Sequence, residues 1–395
     1  MRRWPVTANA DALAGWVSRL VQIPSVNPLH AGLNSGVVGE QALAFALVTW
    51  FEELGASEVI LDEVQDDRSN IYAFFPGRTD RVCGIDVHLD TVTVENMVDP
   101  PFDGRIEDGH VWGRGSLDTK ASLGVICALL ESWKSRGLTA EPTILVVGTI
   151  GEEAGGLLGA RRFREWAESR DLVIDQLIVC EPTKCAPVHG HKGAIGLRVE
   201  VVGKSAHSAL PELGANAVHA AARIIVALED HHDALVAGPA STEVGTGSVL
   251  TTSVHGGLAG NVVPDKCTIT VGRRIAPGED PASEYERLSQ LITDASPLPV
   301  VITPLLAPEP GRPPGAPAFY QTPDSDLVRT LAAATGEAPT CAPFGTNALR
   351  YDSFANEKVV FGPGSIDDAH KPTECVRISD LERIAAAYET WLRPG

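Results

Sequence analysis

Acidic and histidine residues follow apolar runs repeatedly along this chain. His88 and Asp90 follow Val87, Glu152 and Glu153 follow Ile150-Gly151, and Glu181 follows Cys180. Asp118 sits in Gly113-Arg114-Gly115-Ser116-Leu117-Asp118-Thr119-Lys120. His370 comes after Val359-Val360-Phe361 and the turn Gly362-Pro363-Gly364. Singly, each has an ordinary explanation: a local hydrogen bond for His-x-Asp, a solvated loop for Glu-Glu, less still for a Glu before Pro. Joint placement after buried strands changes this, because charged groups there are costly unless paired or metal-bound. The set suits a two-metal hydrolytic site. His88 offers a neutral imidazole nitrogen. Asp90, two residues on, faces the same way in extended chain. It can accept the other ring N–H and fix the tautomer. Asp118 has two oxygens and can bridge two metals. Mixed His and carboxylate donors suit Zn²⁺, with Co²⁺ or Mn²⁺ as alternatives. Glu152 and Glu153 can divide labour in a tight turn, one binding metal and the other handling protons.

The elements that must position these residues read as alternating helices and strands. Leu13, Trp16, Val17 and Leu20 share a helical face that Ile23-Pro24 ends. A second helix is expected from about Val38 to Leu54, closed by Gly55. The runs Val82–Val87, Ile144–Val147, Leu177–Cys180 and Val359–Phe361 show little alternation, as in strands of a mostly parallel sheet covered on both faces. Leu123, Ile126, Cys127, Leu130 and Trp133 form a helical stripe closed by Gly137. In open α/β sheets ligands bind outside the carboxyl ends of the strands, so the acidic and His residues can meet along one edge.

The middle of the chain differs. Ile195, Leu197, Val199 and Val201 alternate with polar or small residues, as do Cys267, Ile269 and Val271, which predicts one-sided antiparallel strands. Helices are expected around Val218–Leu228 and from about Pro281 to Ile292, giving a small α+β domain with helices on one face. Pro308–Pro317 reads as a linker, after which a helix near Ser325–Thr335 resumes the α/β pattern. The expected organisation is an α/β domain over 1–186 and 306–395 with a small domain inserted at 187–305.

Composition narrows the function. The chain has 395 residues, 32 Lys+Arg against 51 Asp+Glu, and a formal net charge of −19. Acid excess without a basic run argues against nucleic acid or an anionic membrane as partner. No stretch is apolar enough to span a bilayer, and Asn9, Asp11 and Arg19 interrupt the region where a signal peptide would be apolar. The seven Cys are scattered, with no C-x-x-C pair. A reducing cytoplasm is the expected compartment.

The motifs resemble those of the M20 metallopeptidases, within them the acetylornithine deacetylase / succinyl-diaminopimelate desuccinylase group. The matching segments are Val87–Val92, Gly113–Lys120, Gly151-Glu152-Glu153, Glu181-Pro182-Thr183, Gly203–Ser208, Asn261–Asp265 and Gly362–Pro372. They run in order over nearly the whole chain. The resemblance implies a zinc-peptidase catalytic domain with an inserted ferredoxin-like lid that also dimerises. It implies one metal on His88, Asp118 and Glu181, a second on Asp118, Glu153 and His370, and Glu152 as general base and acid. His207 would reach the active site of the partner in a homodimer and help polarise the scissile carbonyl. Arg274 would bind a substrate carboxylate near Asn261, and Gly345-Thr346 would contact substrate. Three positions depart from the pattern: Ala121 stands where Gly is frequent, Gly272 where Asp is expected before Arg273-Arg274, and Asn347 where an acid is common. His189 and His191 read as structural or surface residues, and His231-His232 as a helix-end cap.

The expected reaction is hydrolysis of the amide of a small N-acyl amino acid by a water activated between two divalent ions. A dipeptidase or carboxypeptidase with the same metal chemistry is the alternative within the fold. A non-catalytic dimeric binding protein is the alternative outside enzymes, opposed by the intact ligand set and Glu152.

Overall fold

The structure is a computed structural model that describes residues 7–154, 156–305, 314–351 and 354–395. The chain divides into two compact units. One runs to His189 and includes Gln321–Thr340 and Thr346–Gly395; the other comprises Gly190–Tyr320 and Cys341–Gly345.

In the first unit the apolar runs form the centre of a mixed sheet. Six of its strands lie in the order Glu58–Gln65, Arg68–Phe75, Thr143–Thr149, Val82–His88, Ile174–Val179, Ala355–Val360. The last four are mutually parallel, and the first two add an antiparallel hairpin at one edge. Both faces are covered. Helices Ala10–Val21, Gln41–Leu54, Lys120–Arg136 and Ile378–Leu392 share one apolar core with Ile71, Ile85, Val87, Val146 and Ile178. On the opposite face Tyr72 meets Phe163 and Trp166 of helix Leu158–Glu168, with ring centroids 5.1 and 4.4 Å apart. Burial on both faces is why these strands read as continuous apolar runs.

Two boundaries show how local chemistry sets the elements. Helix Gln41–Leu54 starts three residues after the expected Val38, because Val38 bridges Val26 and Gly39 adopts φ +88°. It ends as expected, with Gly55 at φ +100°. The hairpin escaped the sequence pattern. Its turn is Asp66-Asp67, both at positive φ, and strand Glu58–Gln65 mixes exposed and half-buried residues.

The second unit holds a four-stranded antiparallel sheet in the order Ser248–Gly256, Lys266–Ile275, Gly193–Val202, Val300–Pro304. With helices Ala217–Ala237 and Pro281–Ala295 the succession is strand–helix–strand–strand–helix–strand, the ferredoxin-like arrangement. Ile195, Leu197, Val199 and Val201 pack with Ile224, Leu228, Leu288 and Ile292, so one sheet face carries both helices. This unit continues past residue 305, since Ala316 bridges Ala194 and Phe319–Tyr320 pairs with Gly190 and His191. Residues 308–313 of the expected linker lie outside the described residues. None of the seven cysteines is in a disulfide. Among the described residues no helix is long and apolar enough to cross a membrane.

Candidate dinuclear metal centre

Strand register brings distant residues to one edge. Asp86 pairs in parallel with Val179, so His88 and Glu181, each two residues on, leave the sheet side by side. His88 is also opposite Thr149, after which Ile150-Gly151 turns the chain and presents Glu152 and Glu153. Gly151 takes φ +68° in that turn, a conformation glycine adopts without a Cβ penalty. Asp118 arrives from the loop before helix Lys120–Arg136 and His370 from the segment after the Ala355–Val360 strand.

The two carboxylate oxygens of Asp118 face different histidines. Oδ1 lies 3.0 Å from His88 Nε2 and Oδ2 lies 3.2 Å from His370 Nε2. His370 Nε2 is also 3.0 Å from Glu153 Oε1. His88, Asp118 and Glu153 each offer a ligand atom within 4.8 Å of the others, and so do His88, Glu152 and Glu181. Glu152 therefore lies against the His88–Glu181 half of the cluster, and Glu153 against His370.

The electrostatics describe acid in excess. Burial first, then the charges of Glu153, Asp90 and Asp118, push the Glu152 carboxyl up to about 8. Burial and Asp118 push Glu153 up to about 7. Burial, Glu152 and Asp118 raise Glu181 well above the usual carboxylate range. Burial opposes ionisation of Asp118 too, but hydrogen bonds from His370 and His88 hold it below that range. The hydrogen bonds of His370 to Asp118 and Glu153 raise it to about 10. His88 is raised by Asp118, Glu181 and Glu152 against the opposing effect of its burial. The opposing charges at Glu152, Glu153 and Glu181 come from the two histidines rather than from lysine or arginine. Buried acids crowded in this way call for a compensating cation. The donor set, imidazole nitrogens with a carboxylate facing both, fits a pair of divalent ions such as zinc, cobalt or manganese.

Asp90 does different work from that expected. The nearer acceptor for His88 Nδ1 is the main-chain carbonyl of Asp90 at 3.0 Å, while the carboxylate stands 3.7 Å away. The carboxylate is occupied instead by three donors: the N–H groups of Glu152 and Glu153, both at 3.0 Å, and Asn27 Nδ2 at 2.7 Å. It holds the Glu152-Glu153 turn, and its main chain fixes the imidazole.

Several supporting residues carried no sequence signal. Asn27 Nδ2 also donates to the Ala154 carbonyl at 3.0 Å. Glu40, bound by Arg68, accepts the Gly151 N–H at 3.2 Å. Buried Asp86 accepts from Thr149, Asn347 and Tyr351 at 3.1, 3.0 and 2.9 Å. Glu374 accepts the N–H groups of Leu117 and Asp118 at 3.0 and 3.2 Å. Each is a single polar residue whose partner lies far away in the sequence.

Of the residues expected to meet substrate, Thr346 belongs to the first unit. It is fully buried, and its hydroxyl accepts the Ala348 N–H at 3.1 Å. His207, Asn261, Arg274 and Gly345 belong to the second unit. There His207 is exposed; its main chain bridges Val262 and its Nδ1 accepts the Ala209 N–H at 3.1 Å. The Asn261 carbonyl accepts the Ser208 N–H at 2.9 Å, so the His207 and Asn261 loops lie together. The adjacent arginines part company. Arg273 is buried on Glu279 and Glu284 at 2.7 and 2.8 Å, whereas Arg274 points out from its strand, exposed.

Comparison with known proteins agrees with this geometry. The model of peptidase family M20/M25/M40 matches residues 84–393. An acetylornithine deacetylase of Myxococcus xanthus is 36% identical over 290 residues, covering 71% of this chain and 71% of its own length. A probable carboxypeptidase of Aspergillus oryzae is 28% identical over 400 aligned positions, covering 96% of this chain and 90% of its own. Among solved structures, an aminopeptidase of Bacillus cereus shares the fold with a TM-score of 0.73 at 20% identity, covering 98% of each chain. A dinuclear metal-binding peptidase of Bacillus subtilis does so at 0.66 and 16%, covering 97% of this chain and 98% of its own. The family model spans most of the chain and the strand ends that carry these acidic and histidine residues fall within it, so the chain belongs to peptidase family M20/M25/M40 and is a metallohydrolase.

Proposed function

We propose that the protein hydrolyses the amide bond of a small N-acyl amino acid, releasing a carboxylic acid and a free amine. The observation that carries the substrate class is the 36% identity to an acetylornithine deacetylase. The observation that supports the chemistry is the carboxylate of Asp118 facing His88 and His370 beside Glu152. His88, Asp118 and Glu181 would hold one divalent ion, and Asp118, Glu153 and His370 the other, zinc being the best match to these donors. When bound, such a pair supplies Lewis-acid charge that acidifies water and stabilises negative charge on the carbonyl oxygen.

The residues of the chain do the rest. Glu152 takes a proton from the attacking water and returns it to the departing amine. Asp90 keeps Glu152 and Glu153 in register by holding both main-chain N–H groups. His207 donates to the developing oxyanion, and Arg274, with Asn261, Gly345 and Thr346, receives the substrate carboxylate end. The second unit acts as lid and as the contact surface of a homodimer. Its edge strand Ser248–Gly256 exposes Leu250 and Val254, which supports a self-pairing surface. Seven cysteines without a disulfide among them support a cytoplasmic setting.

The carboxypeptidase of Aspergillus oryzae, matching 96% of the chain, favours a second reading in which the bond cut is a peptide bond. A panel of N-acetyl, N-succinyl and N-formyl amino acids run beside dipeptides separates the two. Faster amine release from acyl amino acids supports deacylation; faster cleavage of dipeptides overturns it.

A further inference from the structure

Behind the centre lies a buried ion pair, Arg114 with Glu374, each about 1% exposed. Glu374 binds more than Arg114. Its Oε1 accepts the N–H groups of Leu117 and Asp118 at 3.0 and 3.2 Å, and its main-chain carbonyl accepts the Gly113 N–H at 3.1 Å. Arg114 spreads the other way. Nε donates to the Thr93 carbonyl at 3.1 Å, and Nη2 to Asn96 Oδ1 at 3.3 Å and to the Lys371 carbonyl at 3.5 Å. Asn96 Nδ2 then donates to the His370 carbonyl at 3.3 Å. His370 itself holds φ +61°.

These contacts close a ring. It runs from the Asp118 N–H through Glu374, Arg114 and Asn96 to the His370 carbonyl, and returns across the 3.2 Å contact between His370 Nε2 and Asp118 Oδ2. The other half of the centre has separate support. His88 ends a central strand, and Glu181 follows one in parallel register with it. His370 lies on no strand or helix, its side chain is 47% exposed, and the ring is what anchors its main chain.

We propose that Arg114 and Glu374, with Asn96, are positioning residues that set the separation of Asp118 and His370 and so govern the affinity of one metal ion of the pair. The proposal rests on the two-ion reading of the centre. An ion held by His88, Glu181 and the shared Asp118 keeps two sheet-anchored ligands when the ring is cut. An ion that depends on His370 does not. Outer partners of this kind are worth about 10–100-fold in metal affinity.

The test is a calorimetric titration of zinc into chelator-stripped full-length protein, with thermal melts in parallel. The variants are Arg114→Met/Glu374→Leu, which removes both buried charges together, and Asn96→Ala, at an exposed position. His370→Ala marks which of the two binding events is the dependent one. The expected result is two ions on the unaltered protein and, in the double variant, a loss of about 10–100-fold at the event that His370→Ala removes, with a smaller loss at the other. Asn96→Ala weakens the same event by a smaller factor without lowering the melting temperature. Equal weakening of both events in step with the melting temperature, or no change in either, overturns the proposal. If the double variant does not fold, Asn96→Ala decides, and unchanged affinities there overturn it. Fewer than two ions on the unaltered protein overturns the two-ion reading beneath it.

Discussion

At the scale of residues, two glutamates adjacent in sequence are given different neighbours. Glu153 meets His370, while Glu152 stands against His88 and Glu181 within ligand reach. Its assignment as the proton carrier therefore makes a sharp claim. Glu152→Gln keeps a similar shape and loses the exchangeable proton, so it is expected to retain both zinc ions and lower kcat by about 10²–10⁴-fold. Metal analysis beside steady-state kinetics checks this; loss of a zinc ion would make Glu152 a ligand instead. Asp90 supports a second expectation. Both of its oxygens accept main-chain N–H groups. Asp90→Asn turns an amide N–H₂ toward one of those donors, leaving it unpaired. Zinc affinity or activity should fall by about 10–100-fold while the fold persists. Unchanged values in both assays would remove Asp90 from the centre.

At the scale of elements, a buried carboxylate ties the short helix Asn347–Arg350 to the strand that carries His88. Asp86 accepts from Asn347 and Tyr351, and Asn347 also reaches Thr149 at 3.0 Å. This accounts for Asn347 where an acid is common. An acid there would face Asp86, already raised to about 6 by burial. Asn347→Asp is expected to destabilise by about 1–3 kcal/mol. The deficit should shrink at low pH, where one of the two carboxyls protonates, and Asp86→Asn should rescue it. Denaturant melts of the two single variants and the double give the coupling, and strict additivity would contradict the contact. The same scale shows what the sequence made legible. Strands buried on both faces appear as apolar runs, and their carboxyl ends pointed to His88, Glu152, Glu153 and Glu181. The Glu58–Gln65/Arg68–Phe75 hairpin lay hidden, because its edge strand is half exposed and its turn is Asp66-Asp67 without glycine. Asn27, Glu40, Asp86 and Glu374 were illegible for a different reason. A lone polar residue acquires meaning only from a partner that the fold brings from elsewhere in the chain.

At the scale of the molecule, the acid excess at the centre makes stability depend on pH and metal together. In the metal-free protein Glu152 and Glu153 titrate near 8 and 7, above the ordinary carboxyl value, because burial and neighbouring acids disfavour their charge. Between about pH 5 and 7 the folded state therefore holds more protons than the unfolded one, and stability falls as pH rises. His191, lowered to about 4 by burial, and His231, also lowered by burial, act in the opposite sense, against these two, Glu181 and the raised His88 and His370. The Tm of stripped protein should decline over that window. Saturating zinc should reverse the slope, since its ligands bind only when deprotonated. A stripped protein whose Tm rises toward pH 7 would contradict this charge balance. His207, in the second unit, should behave apart from all of this: His207→Ala is expected to bind zinc normally and lose turnover, and a loss of zinc would contradict its assigned role.

The most direct measurement is amine release from N-acyl amino acids, N-acetylornithine and N-succinyl-diaminopimelate among them. Chelator-stripped protein would be compared with protein reloaded with zinc or cobalt. The account predicts negligible release from the stripped protein, recovery on adding two equivalents of metal, and faster turnover of acyl amino acids than of dipeptides. Release that is indifferent to metal, or metal-dependent cleavage confined to dipeptides, would contradict it.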